Sequence, residues 1–236
     1  MQAAGAVVRR VLDTMKAEVR PGVTTRELDE VGLRVIRAER ANSAPAMVYA
    51  FPGGSCISVN DEAVHGIPGN RKLKNGDLVK LDVTVEKDGL MADAAITVPV
   101  GRVSDEGLRL LSCAQRAFYA AMLVARAGFR VFEIGRAVER SVRRDGFAVI
   151  PELGGHGIGR MIHEQPRVPN YLDRSATRIL TEGMVITVEP IITAGSGEVF
   201  VDKDGWTLRT ADGKPSAHYE HTLIITKGRP FLLTAA

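Results

Sequence analysis

The chain is 236 residues long, 45% hydrophobic and 25% charged, enough for one large core or two small ones. Lys+Arg exceed Asp+Glu by only 31 − 28 = 3, and the basic residues are scattered, with Arg9-Arg10 and Arg143-Arg144 as pairs, which argues against a nucleic-acid groove. Cys56 and Cys113 alone suggest a reduced compartment, and the short apolar stretch at the N-terminus, with no stretch near the roughly 18 apolar residues of a membrane span, predicts a soluble, cytoplasmic protein.

Val7, Val8, Val11, Leu12 and Met15 recur at helical spacing and predict an amphipathic helix over about 3–19, ended by Pro21-Gly22. Thr24 or Thr25 caps a second helix with Leu28, Val31, Val35 and Ile36 on one face. Strand-like runs follow at 56–59, 78–85 and 90–98, then helices over about 106–127 and 132–145. The remainder reads as strands at 184–193, 198–201, 206–209 and 218–226. An α+β protein in a single domain, 1–236, is expected.

The same order occurs twice. Arg20-Pro-Gly-Val-Thr-Thr-Arg-Glu27-Leu28 is echoed by Arg126-Ala-Gly-Phe-Arg-Val-Phe-Glu133-Ile134, an offset of 126 − 20 = 106. Asn75-Gly-Asp-Leu-Val-Lys-Leu-Asp82 is echoed by Glu182-Gly-Met-Val-Ile-Thr-Val-Glu189, an offset of 189 − 82 = 107. The period is too long for a solenoid and predicts two αβ halves, about 1–105 and 106–236, sharing one sheet by pseudo-twofold symmetry. Asp82 and Glu189 then occupy equivalent positions, each inside an apolar run, and meet near the middle of the molecule. Burying such carboxylates is costly unless a cation compensates.

Asp93 lies eleven residues beyond Asp82, across the turn signal Asp88-Gly89. A two-residue turn there sets Asp82 opposite position 95 and Asp93 opposite position 84, with both aspartates on one face. Two like charges on a buried hairpin repel, and a metal relieves the repulsion. His156 sits in Gly154-Gly155-His156-Gly157-Ile158-Gly159, where the glycines imply tight turns or close backbone approach and not a helical zinc site. Glu220 is an acid within another β-like run, 217–225. Asp82, Asp93, His156, Glu189 and Glu220 together form a candidate set whose four charges could neutralise two divalent cations. Its oxygen-rich character suits Mn, Fe or Co, with catalytic Zn as a further option. His218 and His221 are assigned structural places.

The segments Asn60-Asp-Glu-Ala-Val-His65-Gly-Ile-Pro, Leu81-Asp82-Val-Thr, Ala92-Asp93, Gly155-His156-Gly-Ile-Gly-Arg160, His163-Glu164, Val188-Glu189-Pro, Asp204-Gly-Trp206-Thr and Tyr219-Glu220-His-Thr resemble the type I methionine aminopeptidases nearly end to end. The resemblance implies the pita-bread fold, a pseudo-twofold pair of αβ halves around a central curved antiparallel sheet. It implies that the five residues hold two divalent ions, and that a water held between the ions attacks the scissile carbonyl of an N-terminal methionine followed by a small residue. It gives Glu189 the role of proton shuttle, His163 that of oxyanion stabiliser, and His65 a contact near the scissile amide. Phe51, Cys56, Ile162 and Trp206 stand at the positions of the methionine pocket. The implied partners are N-termini of nascent polypeptides near the ribosome, with no specific nucleic acid, no membrane, and a monomeric state by default.

Three departures stand out. Val48-Tyr49-Ala50-Phe51 replaces the frequent Tyr-His-Gly-Tyr, Ala94 follows the second aspartate where the family often has threonine, and Gln165 replaces a frequent glutamate. The short start points to a bacterial-type member. Two alternatives are a prolidase or aminopeptidase P relative, which carries an added N-terminal domain, and a non-catalytic pita-bread binding module, which typically loses ligands.

Overall fold

The computed structural model describes residues 1–235. Its first half begins with α1 (Gln2–Ala17) and α2 (Thr25–Ala38), and the latter opens on a reciprocal cap: Thr24 Oγ1 accepts from Glu27 N–H while the Glu27 carboxylate accepts from Thr24 N–H. A short helix, α3 (Ala44–Tyr49), follows, then two long strands, Leu78–Lys87 and Leu90–Pro99. The second half repeats the scheme with α4 (Asp105–Met122) and α5 (Val131–Arg144) packed on the strands of residues 154–224. Each helical pair buries its apolar face against the strands of its own half, giving two main cores, one led by Val7, Val11 and Leu81 and the other by Leu110, Phe118 and Ile186.

The two halves share backbone detail. Gly22 N–H donates to Leu73 O and Leu73 N–H to Val23 O; Gly128 N–H donates to Leu180 O and Leu180 N–H to Phe129 O, offsets of 106 and 107. Gly22 and Gly128 both have φ of 92°, a conformation open to glycine at little cost.

Pairing in the sheets decides where the acids lie. The hairpin turns at Asp88-Gly89, with φ of 54° and 79°, and pairs Asp82 with Ala95 and Thr84 with Asp93. Cys56 is the partner of Asp82 on its other side. The two halves are sewn together along residues 93–97: Ala95 and Glu220 exchange backbone hydrogen bonds of 3.3 and 2.9 Å, Thr222 Oγ1 bonds both backbone groups of Asp93, and Thr97 Oγ1 does the same for His218. Val188 pairs with His221 and Ile191 with His218, which sets Glu189 opposite Glu220. One row of neighbours therefore runs Cys56, Asp82, Ala95, Glu220, Glu189 across the join. Period-two alternation puts their side chains on one face, with Asp93 beside them.

Several expected elements differ. The helix expected over 106–127 ends at Met122, because Ala127 and Gly128 donate to Thr226 O and Leu180 O and the sheet edge captures the chain. The runs 184–193 and 218–226 are each broken, at Glu189-Pro190 and at Tyr219-Glu220. Proline has no N–H for the ladder at that step. Trp206 lies in a turn and the strand is Leu208–Thr210. The glycine-rich segment is largely strand, Gly154–Gly157. A Cβ on Gly155 would lie 2.4 Å from Thr187 O, so the close approach inferred from composition is present without the turn.

Candidate metal centre

Asp82, Asp93, His156, Glu189 and Glu220 all line one cavity of about 220 Å³ at the join between the halves. Donor atoms of Asp93, His156 and Glu220 lie within 4.8 Å of one another, as do those of Glu189, His218 and Glu220. His156 is carried on the strand held against Thr187: its N–H donates to Thr187 Oγ1 at 3.0 Å, and that hydroxyl donates to Glu189 Oε1 at 2.8 Å. The ring Nδ1 lies 2.9 Å from Gly157 O. A carbonyl can only accept, so Nδ1 carries the proton and Nε2, 3.5 Å from Glu189 Oε1, presents its lone pair to the cavity.

The electrostatics of this set lack a counter-charge. Burial pushes the carboxyl of Asp82 well above its usual range, with Asp93 and Glu189 adding to it. Burial does the same to Glu220, helped by Asp93, Glu189 and Asp82. Asp93 is raised by burial, and Glu189 is pushed up to about 7 by burial, with Asp93 contributing. Asp93 Oδ1 and Glu220 Oε1 are buried with no hydrogen-bond partner among the described residues. Buried oxygens of this kind are normally satisfied. Four acids around one imidazole with orphaned oxygens fit hard or borderline divalent cations.

Phe51, Cys56, Ile162 and Trp206 line a second cavity of about 280 Å³, which shares His65, Asp82, Asp93 and His163 with the first. Phe51 and Trp206 meet edge to face, ring centres 5.2 Å apart. Trp206 is placed by Asp204, whose Oδ1 accepts from Trp206 and Thr207 N–H at 2.8 Å each. A larger groove of about 1010 Å³ lies elsewhere, between α4 and α5; its walls include Arg116, Arg136, Arg140 and Arg144 and neither acid–histidine group.

His65 and His163 stand where the two cavities meet. His65 sits at φ 58°, a left-handed conformation held where Ile57 donates to Gly66 O. Desolvation, then the neighbouring rings of His156 and His65, push His163 down to about 4, so its ring is neutral near pH 7. Tyr49, at the end of α3, places its hydroxyl 2.7 Å from His163 Nδ1. Neither α3 nor this contact is visible in the sequence pattern, since six residues around Pro45 carry no helical period.

His218, read as structural, belongs to the cavity wall. Its ring is 2% exposed, and Nε2 lies 3.4 Å from Glu220 Oε2 and 3.9 Å from Glu189 Oε2. The signal that could have found it is parity: it stands two residues before Glu220 and faces the same way. His221 has a structural place, with Nδ1 2.9 Å from Thr234 Oγ1.

The fold is that of the pita-bread metallopeptidases. Residues 1–227 match the metallopeptidase family M24, and the chain belongs to that family. It is 40% identical to the methionine aminopeptidase of Clostridium perfringens, over 99% of this chain and 94% of that one. A crystal structure of methionine aminopeptidase from Thermotoga maritima superposes with a TM-score of 0.97 at 34% identity, covering 100% and 95% of the two chains. The prolidase of Pyrococcus furiosus shares the fold alone, with a TM-score of 0.79 at 22% identity and 62% of its length covered.

Proposed function

We propose that this chain is a two-metal methionine aminopeptidase that removes the N-terminal methionine from newly made polypeptides, with a preference for a small second residue. The observation that carries the reading is the junction of two cavities: an acid-rich centre with one lone-pair imidazole, and an apolar aromatic pocket that shares its wall. Asp82, Asp93, His156, Glu189 and Glu220 would hold two divalent cations, with Mn, Fe or Co suiting the oxygen donors and Zn also compatible. When bound, such a pair supplies a nucleophile at neutral pH and polarises the scissile carbonyl.

The protein's own groups do the rest. Glu189, at the edge of the centre, would take a proton from the nucleophile and return it to the leaving amine. His163, neutral and held through Nδ1 by Tyr49, offers its other ring nitrogen to the developing oxyanion. His65 contacts the peptide beside the scissile amide. Phe51, Trp206, Ile162 and Cys56 enclose the methionine thioether, which packs well against ring edges. A cytoplasmic, monomeric enzyme working close to the ribosome completes this reading; among the described residues no helix is long and apolar enough to cross a membrane.

The test is peptide hydrolysis by chelator-stripped protein reloaded with Mn, Fe or Co. Release of methionine from Met-Ala peptides, with no turnover of Ala-Ala peptides, is expected. Equal turnover of both rejects the specificity. Asp82→Asn is expected to abolish activity and lower bound metal; full activity with unchanged metal content contradicts the ligand set.

A further inference from the structure

His218 lies outside the five-residue set, yet it is the imidazole set deepest among the acids. Both ring nitrogens are buried and have no hydrogen-bond partner among the described residues. A buried ring left in that state loses its hydration without replacement, a cost that a plain core position avoids by carrying an apolar side chain. Nearby Lys80 does not supply a partner: its Nζ is taken up by Asn60 O at 2.6 Å, Ser216 Oγ at 2.9 Å and Ser216 O at 3.2 Å. The acceptors that remain within reach are the outer oxygens of the two acids, Glu220 Oε2 at 3.4 Å and Glu189 Oε2 at 3.9 Å.

The division of oxygens is informative. Glu189 turns Oε1 toward His156 and Oε2 toward His218. Its Oε1 is fixed by the Thr187 hydroxyl, whereas no hydrogen bond closes on Oε2. Glu220 likewise turns Oε2 to His218 and keeps a buried, unpartnered Oε1. Glu189 and Glu220 face each other across adjoining strands, and His218 Nε2 lies between their outer oxygens.

We propose that His218 is a positioning residue of the metal centre: Nε2–H closes on the outer oxygens of Glu220 and Glu189 and holds both carboxylates in the orientation in which their other oxygens receive a cation. The role is that of a group behind the ligands, which typically changes metal affinity by about 10–100-fold. It rests on the metal-centre reading above.

The test is calorimetric titration of metal-free protein with Mn²⁺, for the wild type, His218→Gln and His218→Leu, together with the thermal midpoint of each metal-free protein. Glutamine keeps an N–H donor of similar reach and leucine removes it. His218→Gln is expected to bind Mn²⁺ within about threefold of wild type, and His218→Leu about 10–100-fold more weakly, while the metal-free leucine variant melts at or above the wild-type temperature because an unpartnered polar ring is gone. A merely structural histidine would not weaken metal binding while leaving the fold intact. Wild-type affinity in His218→Leu overturns the proposal. So does an equal loss in both variants accompanied by a changed visible spectrum of the Co²⁺-loaded protein, which would make the ring a direct ligand. Failure of the wild type to bind Mn²⁺ or Co²⁺ at all sinks the metal-centre reading itself, a distinguishable result.

Discussion

Acidification should strip metal from this centre well before it unfolds the protein. Glu189 has a carboxyl pushed up to about 7 by burial, against an ordinary value of 4.5. A cation needs that carboxylate ionised. At pH 5 only about 1 in 100 molecules would have it so, which weakens ion binding by about 100-fold, or about 2.7 kcal/mol at 1.36 kcal/mol per pH unit. Asp82 and Glu220, both raised well above their usual range, act in the same direction. The sign for stability agrees. A carboxyl whose folded pKa is raised stabilises the metal-free protein below its unfolded value of 4.5, and that contribution is lost as pH rises through about 7. In this window the cation replaces the proton as counter-charge. The assay is calorimetric Mn²⁺ titration of chelator-stripped protein at pH 5, 6 and 7, in buffers of differing ionisation enthalpy to count released protons. Affinity should fall about 50-fold or more from pH 7, where about half of the Glu189 carboxyls are ionised, to pH 5, with protons released on binding, and Glu189→Gln should flatten the dependence. An affinity constant within about threefold over that range, with no proton release, would refute the electrostatic reasoning.

Other outcomes follow from single contacts. Tyr49→Phe deletes the hydroxyl 2.7 Å from His163 Nδ1 and should lower kcat roughly tenfold with little change in KM, measured by steady-state peptide hydrolysis. An effect on KM alone would assign Tyr49 to the pocket only. Gly155→Ala forces a Cβ to within 2.4 Å of Thr187 O and should cost about 1–3 kcal/mol in denaturant unfolding, with a loss of metal affinity because the same strand carries His156. Lys80, fully buried, is pulled from 10.5 down to about 7 by desolvation. Its unfolded form then binds more protons between about pH 7 and 10.5, so it adds stability that rises with pH over that window. Lys80→Met should remove this rise in thermal melts of metal-free protein.

Local rules carried much of the fold into the sequence. Asp88-Gly89 gave the hairpin register residue for residue, because a two-residue turn leaves one pairing in which both apolar runs stay in phase. A capping threonine at 24 or 25 ahead of an apolar face located α2, though not the reciprocal bond from Glu27. Similarity between the halves placed Asp82 and Glu189 at equivalent points. What stayed hidden is non-local. Nothing in the runs 90–99 or 216–224 announces that Ala95 will bond Glu220 across the join, since backbone pairing is blind to side-chain type. The breaks at Glu189-Pro190 and Tyr219-Glu220 were hidden because strand-like residues continue on both sides of each, and they occur where the acids turn into the cavity. His218 and Lys80 were overlooked because a histidine and a lysine read as ordinary surface or core residues until the face they share with Glu220 and Asp82 is known.

The most direct test of the account is a crystal structure of protein loaded with Mn²⁺ or Co²⁺, with anomalous scattering recorded at the metal edge. Two peaks about 3.5–4 Å apart are expected, enclosed by Asp82, Asp93, His156, Glu189 and Glu220. Anomalous density elsewhere, or a protein that releases methionine at full rate with no metal at those five residues, would contradict it.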